Sequence, residues 1–318
     1  MFVAHAIPQT GDAELLADGR SSILFATLAG VSLGLMTGAE HPLARGRRFD
    51  RVTGIVLRAL LLFLLGVALA LTGSRIAIIL DYYAIMFLLV VPLLFLPRWA
   101  LGTLAGVLAF AGPVLATVVD ATRATPLAEV LATYLLTGYY PAVIWLPFLL
   151  AGLIAARSGL ARPRTQGWLV GAGLALSLVG YGAAAVLPGV SAEAHSNSTA
   201  EVLGSGGLAI AIIGVLLAVT TGNGAARIAR ALLWPIAATG SMALTVYTAQ
   251  ILVLASIVAY FSTPGADVVI DYPGWPLLLG MSALSVAFAS LWRATLGKGP
   301  LERALAALTR GPRRRTRT

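Results

Sequence analysis

Histidine is the side chain best suited to proton transfer near neutral pH, and this sequence contains three histidines. His41 lies in a basic stretch and His195 in a stretch rich in Ser, Asn and Glu, so we expect water around both. His5 differs, because apolar residues on both sides place it at a membrane boundary, where desolvation favours the neutral imidazole. A neutral imidazole can act as a general base or as an acyl acceptor. The alternative is an interfacial histidine without a chemical role.

A carboxylate lies within a second apolar stretch. Asp81 follows Arg75 by six positions, so in a helix that starts near Arg75 it lies about 9 Å along the axis. A carboxylate at that depth usually faces the bundle interior or a watery cavity and needs a partner. We therefore expect Asp81 to orient a histidine on a neighbouring helix, and a structural ion pair with Arg75 is the alternative.

Further polar side chains could bind a substrate next to these two candidate catalytic residues. Asp18 and Arg20 precede an apolar helix, where they could cap backbone amides or bind an anionic group at its N-terminus. Tyr82 follows Asp81 directly, while Tyr247 and Gln250 lie within one turn of a later helix. Hydrogen bonding between helices is the alternative role for this last pair.

The amino-acid composition indicates what kind of secondary structure positions these residues. Hydrophobic residues make up 58% of the 318 residues, charged residues 11%, and the mean hydropathy is +0.89. An ordinary soluble domain is about one quarter charged, so the surface of this chain must largely face lipid. The chain contains no cysteine, which excludes disulfides and thiolate chemistry. The continuously apolar segments predict helices and exclude the alternating strands of a barrel.

The sequence predicts an all-α transmembrane bundle with nine full spans and a partial first span. The nine apolar segments are 21–38, 51–72, 77–97, 99–119, 134–156, 167–187, 204–221, 239–261 and 274–294. If the odd-numbered segments end in the cytoplasm, nineteen of the 22 basic residues lie on that side, and Arg20, Arg75 and Arg123 lie outside. We expect Met1 to be an internal methionine of a longer first helix.

One membrane domain is predicted over residues 1–297, and residues 298–318 are predicted to form a basic cytoplasmic tail. The net charge of +9 follows from this asymmetry, and the tail is typical of a segment that lies near anionic lipid. No aromatic residues are interleaved with the basic run, which argues against nucleic-acid binding. No metal-spaced His/Glu pair is present, so no metal is expected. Gly30, Gly34 and Gly38 lie on one helix face and indicate close helix packing.

Six stretches together resemble bacterial multipass proteins similar to heparan-α-glucosaminide N-acetyltransferase. They are MFVAHAIP, DGRSSILFATLAGVSLGLMTG, RGRRFDRVTGIVLRALLLFLLGVAL, DYYAIMF, YYPAVIWLPFLLAG and GSMALTVYTAQ, in this order from Met1 to Gln250. The resemblance implies a membrane acyltransferase with acetyl-CoA, or another acyl-CoA, offered from the cytoplasm. It also implies transfer to a sugar on the outer side and a catalytic histidine that maps onto His5.

We therefore hypothesise an acyltransferase of the cytoplasmic membrane that modifies an extracytoplasmic glycan or lipid-linked sugar. Arg45, Arg47 and Arg48 would bind the donor phosphates, although the positive-inside rule alone also explains their position. Arg20 and Arg75 would bind an anionic part of a substrate. A transporter or flippase without covalent chemistry and a membrane scaffold are the alternatives, and the sequence leaves open whether the chain forms a homodimer.

Overall fold

The computed structural model describes residues 2–6, 19–74, 76–119, 125–262 and 274–309. Within these ranges, every regular element is helical, which confirms the predicted all-α class. The α-helices are α1 (Phe2–Ala6), α2 (Arg20–Met36), α3 (Arg48–Ala70), α4 (Leu80–Val90), α5 (Arg98–Val118), α6 (Pro126–Ala132), α7 (Ala142–Arg157), α8 (Pro163–Val186), α9 (Thr199–Thr220), α10 (Ala225–Leu232), α11 (Trp234–Gly240), α12 (Ala243–Phe261), α13 (Trp275–Thr295) and α14 (Pro300–Leu308). Short 3-10 turns precede α3 and follow α4, and a π-helical turn, Thr133–Thr137, follows α6.

Proline marks where several of these helices begin. Pro126, Pro163 and Pro300 are the first residues of α6, α8 and α14. The backbone N–H groups in the first turn of a helix have no acceptor within the helix, so proline loses no hydrogen bond there. Its fixed φ also matches the helical value, which favours proline at these positions. Pro141 immediately precedes α7 and ends the break that separates α7 from the π-helical turn.

Each of the nine predicted spans coincides with an apolar helix, but nine full spans are not confirmed. Six helices in the described ranges are long and apolar enough to cross a membrane; they are Arg45–Ala70, Arg98–Val118, Pro163–Val186, Thr199–Thr220, Ala243–Phe261 and Trp275–Thr295. A seventh span is formed if Pro126–Thr137 and Ala142–Arg157, which meet at a bend of 44°, count as one. Arg20–Met36 and Leu80–Leu93 are shorter apolar helices.

The core is built around α7. Thirteen of its sixteen residues are buried, and it packs against α2, α4, α5 and α9. A helix that is apolar on all sides is stable at the centre of a bundle, whereas a helix with one exposed apolar side faces lipid. The outer helices have such exposed sides, because Leu64 on α3, Phe110 on α5, Leu178 on α8 and Leu284 on α13 are all exposed.

Glycine allows the closest helix pairs to form. No space remains for a Cβ atom at Gly30 or Gly34 of α2, or at Gly152 of α7, because the backbone or side chains of the facing helix occupy it. The same holds at Gly173 and Gly207, where α8 meets α9. In lipid, close backbone approach through small residues is a main source of helix association. The predicted packing role of Gly30 and Gly34 is therefore confirmed. The same prediction is wrong for Gly38, which lies beyond the end of α2 with a φ of 107°, in the turn that leaves the helix.

The bundle has two chemically distinct ends. At the first, which we call the tyrosine end, α2, α4 and α7 begin, and the Tyr83 hydroxyl donates a hydrogen bond to the Ser22 carbonyl at 3.1 Å. At the second, the arginine end, Arg157 donates to the Thr37 hydroxyl beyond α2 and to the Leu94 carbonyl beyond α4. Among the described residues, the predicted substrate-binding side chains Arg20 and Tyr82 lie at the tyrosine end, and the predicted donor-binding arginines Arg45, Arg47 and Arg48 lie at the arginine end.

Candidate active site

The short helix α1 brings His5 against the body of the bundle. Ala6 is fully buried and α1 packs on α13, which holds the helix in place. Gln250 on α12 donates from its Nε2 to Nδ1 of His5 at 2.8 Å, and Gln250 is only 3% exposed. Two residues that the sequence analysis assigned to different roles are thus direct neighbours.

Helix α12 connects this pair to the start of α4. Tyr247 precedes Gln250 by three residues, so the two side chains lie on one helix face, about 4.5 Å apart along the axis. The hydroxyl of Tyr247 accepts a hydrogen bond from the backbone N–H of Ile79 at 3.4 Å, and Ile79 immediately precedes α4. One face of α12 therefore contacts both α1 and the first turn of α4.

Asp81 lies in that first turn and is buried. The hydroxyl of Tyr134 donates to its Oδ2 at 2.9 Å, while Oδ1 is buried without a hydrogen-bond partner among the described residues. Gly66 of α3 packs directly on the Asp81 backbone. The position at a helix N-terminus favours a carboxylate. In this structure His5 is hydrogen-bonded to Gln250 and Asp81 to Tyr134. The expected contact between Asp81 and a histidine on a neighbouring helix is therefore not present among the described residues.

Aromatic rings extend from Asp81 along the tyrosine end. The ring of Tyr82 lies 4.8 Å from that of Tyr134 and 5.6 Å from that of Tyr140, measured between centroids. Tyr140 in turn lies 5.0 Å from Trp145. These edge and tilted contacts are the arrangements that aromatic pairs favour. We call this group of side chains the aromatic cluster; its members are Tyr82, Tyr134, Tyr139, Tyr140, Trp145 and His195.

The expectation that His195 is surrounded by water is wrong. Its ring is half-buried and lies 3.9 Å from the ring of Tyr139 and 5.3 Å from that of Tyr140. The loop is shaped by Glu201, whose carboxylate accepts hydrogen bonds from the backbone N–H groups of His195 and Asn197, each at 2.7 Å. A buried acidic side chain thus folds a polar loop back onto the aromatic cluster.

The other predicted substrate-binding residues are placed as follows. Arg20, the first residue of α2, donates from Nε to the hydroxyl of Tyr181 on α8 at 3.0 Å. The Tyr181 hydroxyl also shares a hydrogen bond with Ser205 on α9 at 2.9 Å. Arg20 therefore contacts the α8–α9 pair. Asp18 and Arg75 lie outside the described residues.

The three predicted donor-binding arginines lie at the arginine end. Arg45 and Arg47 are exposed on the turn before α3. Arg48 donates from Nε to the Leu43 carbonyl at 2.8 Å, and its guanidinium lies 4.2 Å from the ring centroid of Phe95. A cavity of about 390 Å³ lies beside the loop before this turn, and it is lined by Glu40, His41, Pro42, Leu96, Pro97, Arg98, Arg157, Ser158 and Arg162.

Sequence reasoning did not single out Tyr134 or Arg157. Tyr134 is 53 positions from Asp81, and no local pattern distinguishes it from a tyrosine at the membrane surface. Arg157 was assigned only to the cytoplasmic side, yet it is 5% exposed and ties the ends of α2 and α4 to α7. The only local signal was a charge at the end of an otherwise apolar helix.

These features define a multipass helical membrane protein with a histidine, a buried carboxylate and tyrosines gathered at one end. Residues 8–183 match the model of the family described as heparan-alpha-glucosaminide N-acetyltransferase, catalytic, and the chain belongs to this family. Residues 152–312 also match the family described as protein of unknown function DUF418. No curated protein and no solved structure matches the sequence. The family and the apolar helices together indicate a membrane acyltransferase.

The first match covers only part of the candidate site. Arg20, Asp81 and Tyr82 lie inside residues 8–183, whereas His5 precedes that range and α12 follows it. Tyr247 and Gln250 lie inside the second matched range. The candidate site therefore draws residues from both matched regions.

Proposed function

We propose that this protein transfers an acyl group, in the first instance acetyl, from an acyl-CoA to a sugar hydroxyl or amine. The phosphates of the donor bind at the arginine end, which faces the cytoplasm, and the extended pantetheine arm carries the thioester through the bundle to His5. The acceptor binds at the tyrosine end, outside the cytoplasmic membrane. Membership of an acetyltransferase family supports the reaction class. The observation that carries the proposal is the hydrogen bond between His5 and buried Gln250, because it orients an imidazole at the tyrosine end.

Gln250 controls which nitrogen of His5 can react. While the amide N–H donates to Nδ1, the proton of a neutral imidazole lies on Nε2, and Nε2 is a hydrogen-bond donor. If the side-chain amide of Gln250 rotates by half a revolution, its oxygen instead of its nitrogen faces Nδ1. Nδ1 then carries the proton, and the lone pair of Nε2 faces the substrate. The same side chain therefore supports both states that an acid–base catalyst must adopt.

In the covalent form of the reaction, Nε2 of His5 attacks the thioester carbonyl carbon. The C–S bond breaks, and the CoA thiolate takes up the proton that Nδ1 of the acylated imidazole releases. The acceptor oxygen or nitrogen then attacks the acyl-imidazole, the C–N bond breaks, and the acceptor proton returns to the imidazole. In the alternative form, His5 removes the acceptor proton while the acceptor attacks the thioester directly. The C–S bond then breaks, and the imidazolium returns the proton to the departing CoA thiolate. Both forms need Nε2 to be unprotonated.

The tyrosine end offers groups that suit a sugar acceptor. The buried Oδ1 of Asp81 has no hydrogen-bond partner among the described residues, and it can accept a hydrogen bond from an acceptor hydroxyl or amine. A cavity of about 570 Å³ continues from the aromatic cluster, since Asn197 lines it and accepts a hydrogen bond from Trp145 at 3.3 Å. Its polar lining consists of hydroxyl and amide side chains: Thr117, Thr137, Ser191, Ser196, Asn197, Ser198 and Thr199. In this proposal Arg20 holds an anionic part of the acceptor.

At the arginine end, Arg45, Arg47 and Arg48 follow the loop that lines the 390 Å³ cavity, although none of the three lines the cavity itself. We assign the phosphates of the donor to these arginines. Arginine pairs bidentately with phosphate oxygens, which favours it at such a site.

A transporter or flippase is the second candidate. The bend of 44° between Thr137 and Ala142 favours it, because discontinuous helices surround the binding sites of many transporters.

The test is acyl turnover by purified protein in nanodiscs, with radiolabelled acetyl-CoA and sugar acceptors. We expect His5→Ala to lose about 10²–10⁴-fold in rate, the usual contribution of a positioned acid or base. Val3→Ala is the matched control, because Val3 is exposed on the same short helix. Trapping of labelled protein in the absence of acceptor identifies the covalent form. Full activity of His5→Ala, or no turnover by wild type with several acyl donors, would overturn the proposal.

A further inference from the structure

A second groove opens at the arginine end, between α5, α7, α8 and α9. It shares Arg98, Ser158 and Arg162 with the 390 Å³ cavity. Its volume is about 600 Å³. The deeper walls are apolar and comprise Ala151, Ile154, Ala155, Leu169, Ala172 and Ile210. The mouth is polar and comprises Arg98, Ser158, Arg162, Arg164, Thr165 and Trp168. The groove therefore has an apolar channel that begins under a cluster of positive charge.

Two of the three arginines at the mouth have a charge that no acidic side chain in the described ranges neutralises. Arg162 forms an ion pair with Glu40. Arg98 donates to the hydroxyl of Ser158 at 3.4 Å, and Arg164 is exposed at the second position of α8. Arg98 is the first residue of α5, so two helix N-termini converge on the mouth. Helix N-termini add partial positive charge to that of the arginines.

The groove walls belong to helices that can cross a membrane. α5, α8 and α9 are all long and apolar enough to do so. Trp168, about one turn into α8, is exposed beside the mouth, as is typical of tryptophan at the membrane surface. In this orientation the mouth lies at the level of the lipid headgroups, and the apolar channel extends into the hydrocarbon region.

We propose that this groove binds one anionic phospholipid. The headgroup phosphate lies between Arg98 and Arg164, and an acyl chain follows Ile154, Ala172 and Ile210. Basic pockets between membrane helices on the cytoplasmic side are suited to anionic headgroups. A small soluble anion would use the mouth but not the apolar channel, so the combination favours a lipid. The proposal does not depend on acyl transfer. Arg98 lines both this groove and the 390 Å³ cavity, whereas Arg164, Trp168 and Ala172 line the groove and not that cavity, so the variants that test the proposal are made at Arg164 and Ala172.

The experiment measures lipid binding to the purified protein in detergent, by native mass spectrometry and by thermal melting. The probes are phosphatidylglycerol and phosphatidylcholine with identical acyl chains. We expect phosphatidylglycerol to bind at least about tenfold more tightly, which corresponds to about 1.4 kcal/mol. Arg164→Gln should remove most of this preference. Arg227→Gln, which removes an exposed charge from α10, should leave it unchanged.

A second pair of variants tests the apolar channel without a change of charge. Ala172→Trp should block the acyl chain and abolish retention of the lipid, and Ala172→Leu serves the same purpose if the larger variant does not fold. Leu178→Trp is the control, because Leu178 is exposed on the same helix outside the groove. Normal retention by a folded Ala172 variant would overturn the proposal.

Three further outcomes would also overturn it. Equal binding of the two lipids would show that the arginines do not recognise a headgroup. Equal losses in Arg164→Gln and Arg227→Gln would indicate general surface charge. Displacement of phosphatidylglycerol by inorganic phosphate or CoA, at concentrations that match its own affinity, would assign the mouth to a soluble anion.

Discussion

Gln250 donates a hydrogen bond to Nδ1 of His5 at 2.8 Å, across 245 positions of the chain. This contact fixes the plane of the imidazole and couples its tautomer to the rotation of one amide. Buried polar side chains need their partners, so the pair also holds α1 against the bundle. In the proposed reaction, the orientation and the tautomer of His5 therefore depend on the side chain at position 250.

Substitutions at Gln250 should separate orientation from packing. Gln250→Glu supplies an acceptor for Nδ1–H and should retain acyl transfer, whereas Gln250→Leu offers neither donor nor acceptor. We expect Gln250→Leu to lose about 10²-fold in rate, the lower end of what a misoriented acid–base catalyst loses. Leu252→Ala, on an exposed face of α12, is the control. Initial rates in nanodiscs report the effect, and equal activity of the Glu and Leu variants would show that Gln250 does not orient His5.

The hydrogen bond between Tyr134 and Asp81 should stabilise the fold by an amount that a double-mutant cycle can isolate. A hydrogen bond to a charged group contributes about 1.5–3 kcal/mol, and this one is buried. We expect Tyr134→Phe and Asp81→Asn each to lower the free energy of unfolding, and the double variant to lose less than the sum of both. Reversible unfolding in mixed micelles measures all four proteins. Additive losses would mean that the two side chains act independently.

Local sequence properties predicted the helices well, because hydropathy is determined segment by segment. All nine apolar segments form helices, and the packing faces of Gly30 and Gly34 follow from their spacing. The lengths were less predictable. The helix is interrupted between Thr137 and Ala142, which divides one predicted span into two helices that meet at an angle. Two other predicted spans form helices that are shorter than a full span.

Contacts between distant segments could not be predicted in the same way. His5 and Gln250 were both singled out, but their pairing depends on how α1 docks beside α12. His195 was expected in water because its neighbours are polar, whereas Glu201 folds its loop onto Tyr139 and Tyr140. Gln250 lies far along the chain from His5, and Tyr139 and Tyr140 lie far from His195, so no local window of sequence contains these contacts.

Arg157 should be essential for folding rather than for turnover. Its Nη1 donates to the carbonyls of Gly34, Thr37 and Ala39, and its Nη2 donates to the Thr37 hydroxyl and the Leu94 carbonyl. Of these acceptors, the Gly34 carbonyl lies in the last turn of α2, and those of Thr37 and Ala39 lie in the turn that follows the helix. Arg157 therefore supplies hydrogen bonds where the helix itself supplies few.

We expect Arg157→Lys to lower the melting temperature strongly, because one ammonium cannot reach both helix ends, and each lost bond to a charged group costs about 1.5–3 kcal/mol. Arg227→Lys is the matched control, since Arg227 is exposed. Size-exclusion profiles after heating report the folded fraction. A melting temperature in Arg157→Lys equal to that of the control would show that charge alone is required at this position.

The last prediction concerns the contact between α2 and α7, which positions both the Ser22 carbonyl and the aromatic cluster. A Cβ atom at Gly30 would collide with the Leu149 carbonyl, and one at Gly152 would collide with the Thr27 carbonyl. Backbone atoms cannot move aside as a flexible side chain can, so alanine at either position must separate the helices.

Gly106 on α5 has open space around it and is the matched control. Because alanine has the higher helix propensity, by about 0.8–1 kcal/mol, Gly106→Ala should be neutral or stabilising, whereas Gly30→Ala and Gly152→Ala should destabilise the protein. Thermal melting of the three variants in one detergent measures this. If all three alanines raise the melting temperature alike, helix propensity alone governs these positions and the close contact of α2 with α7 does not exist.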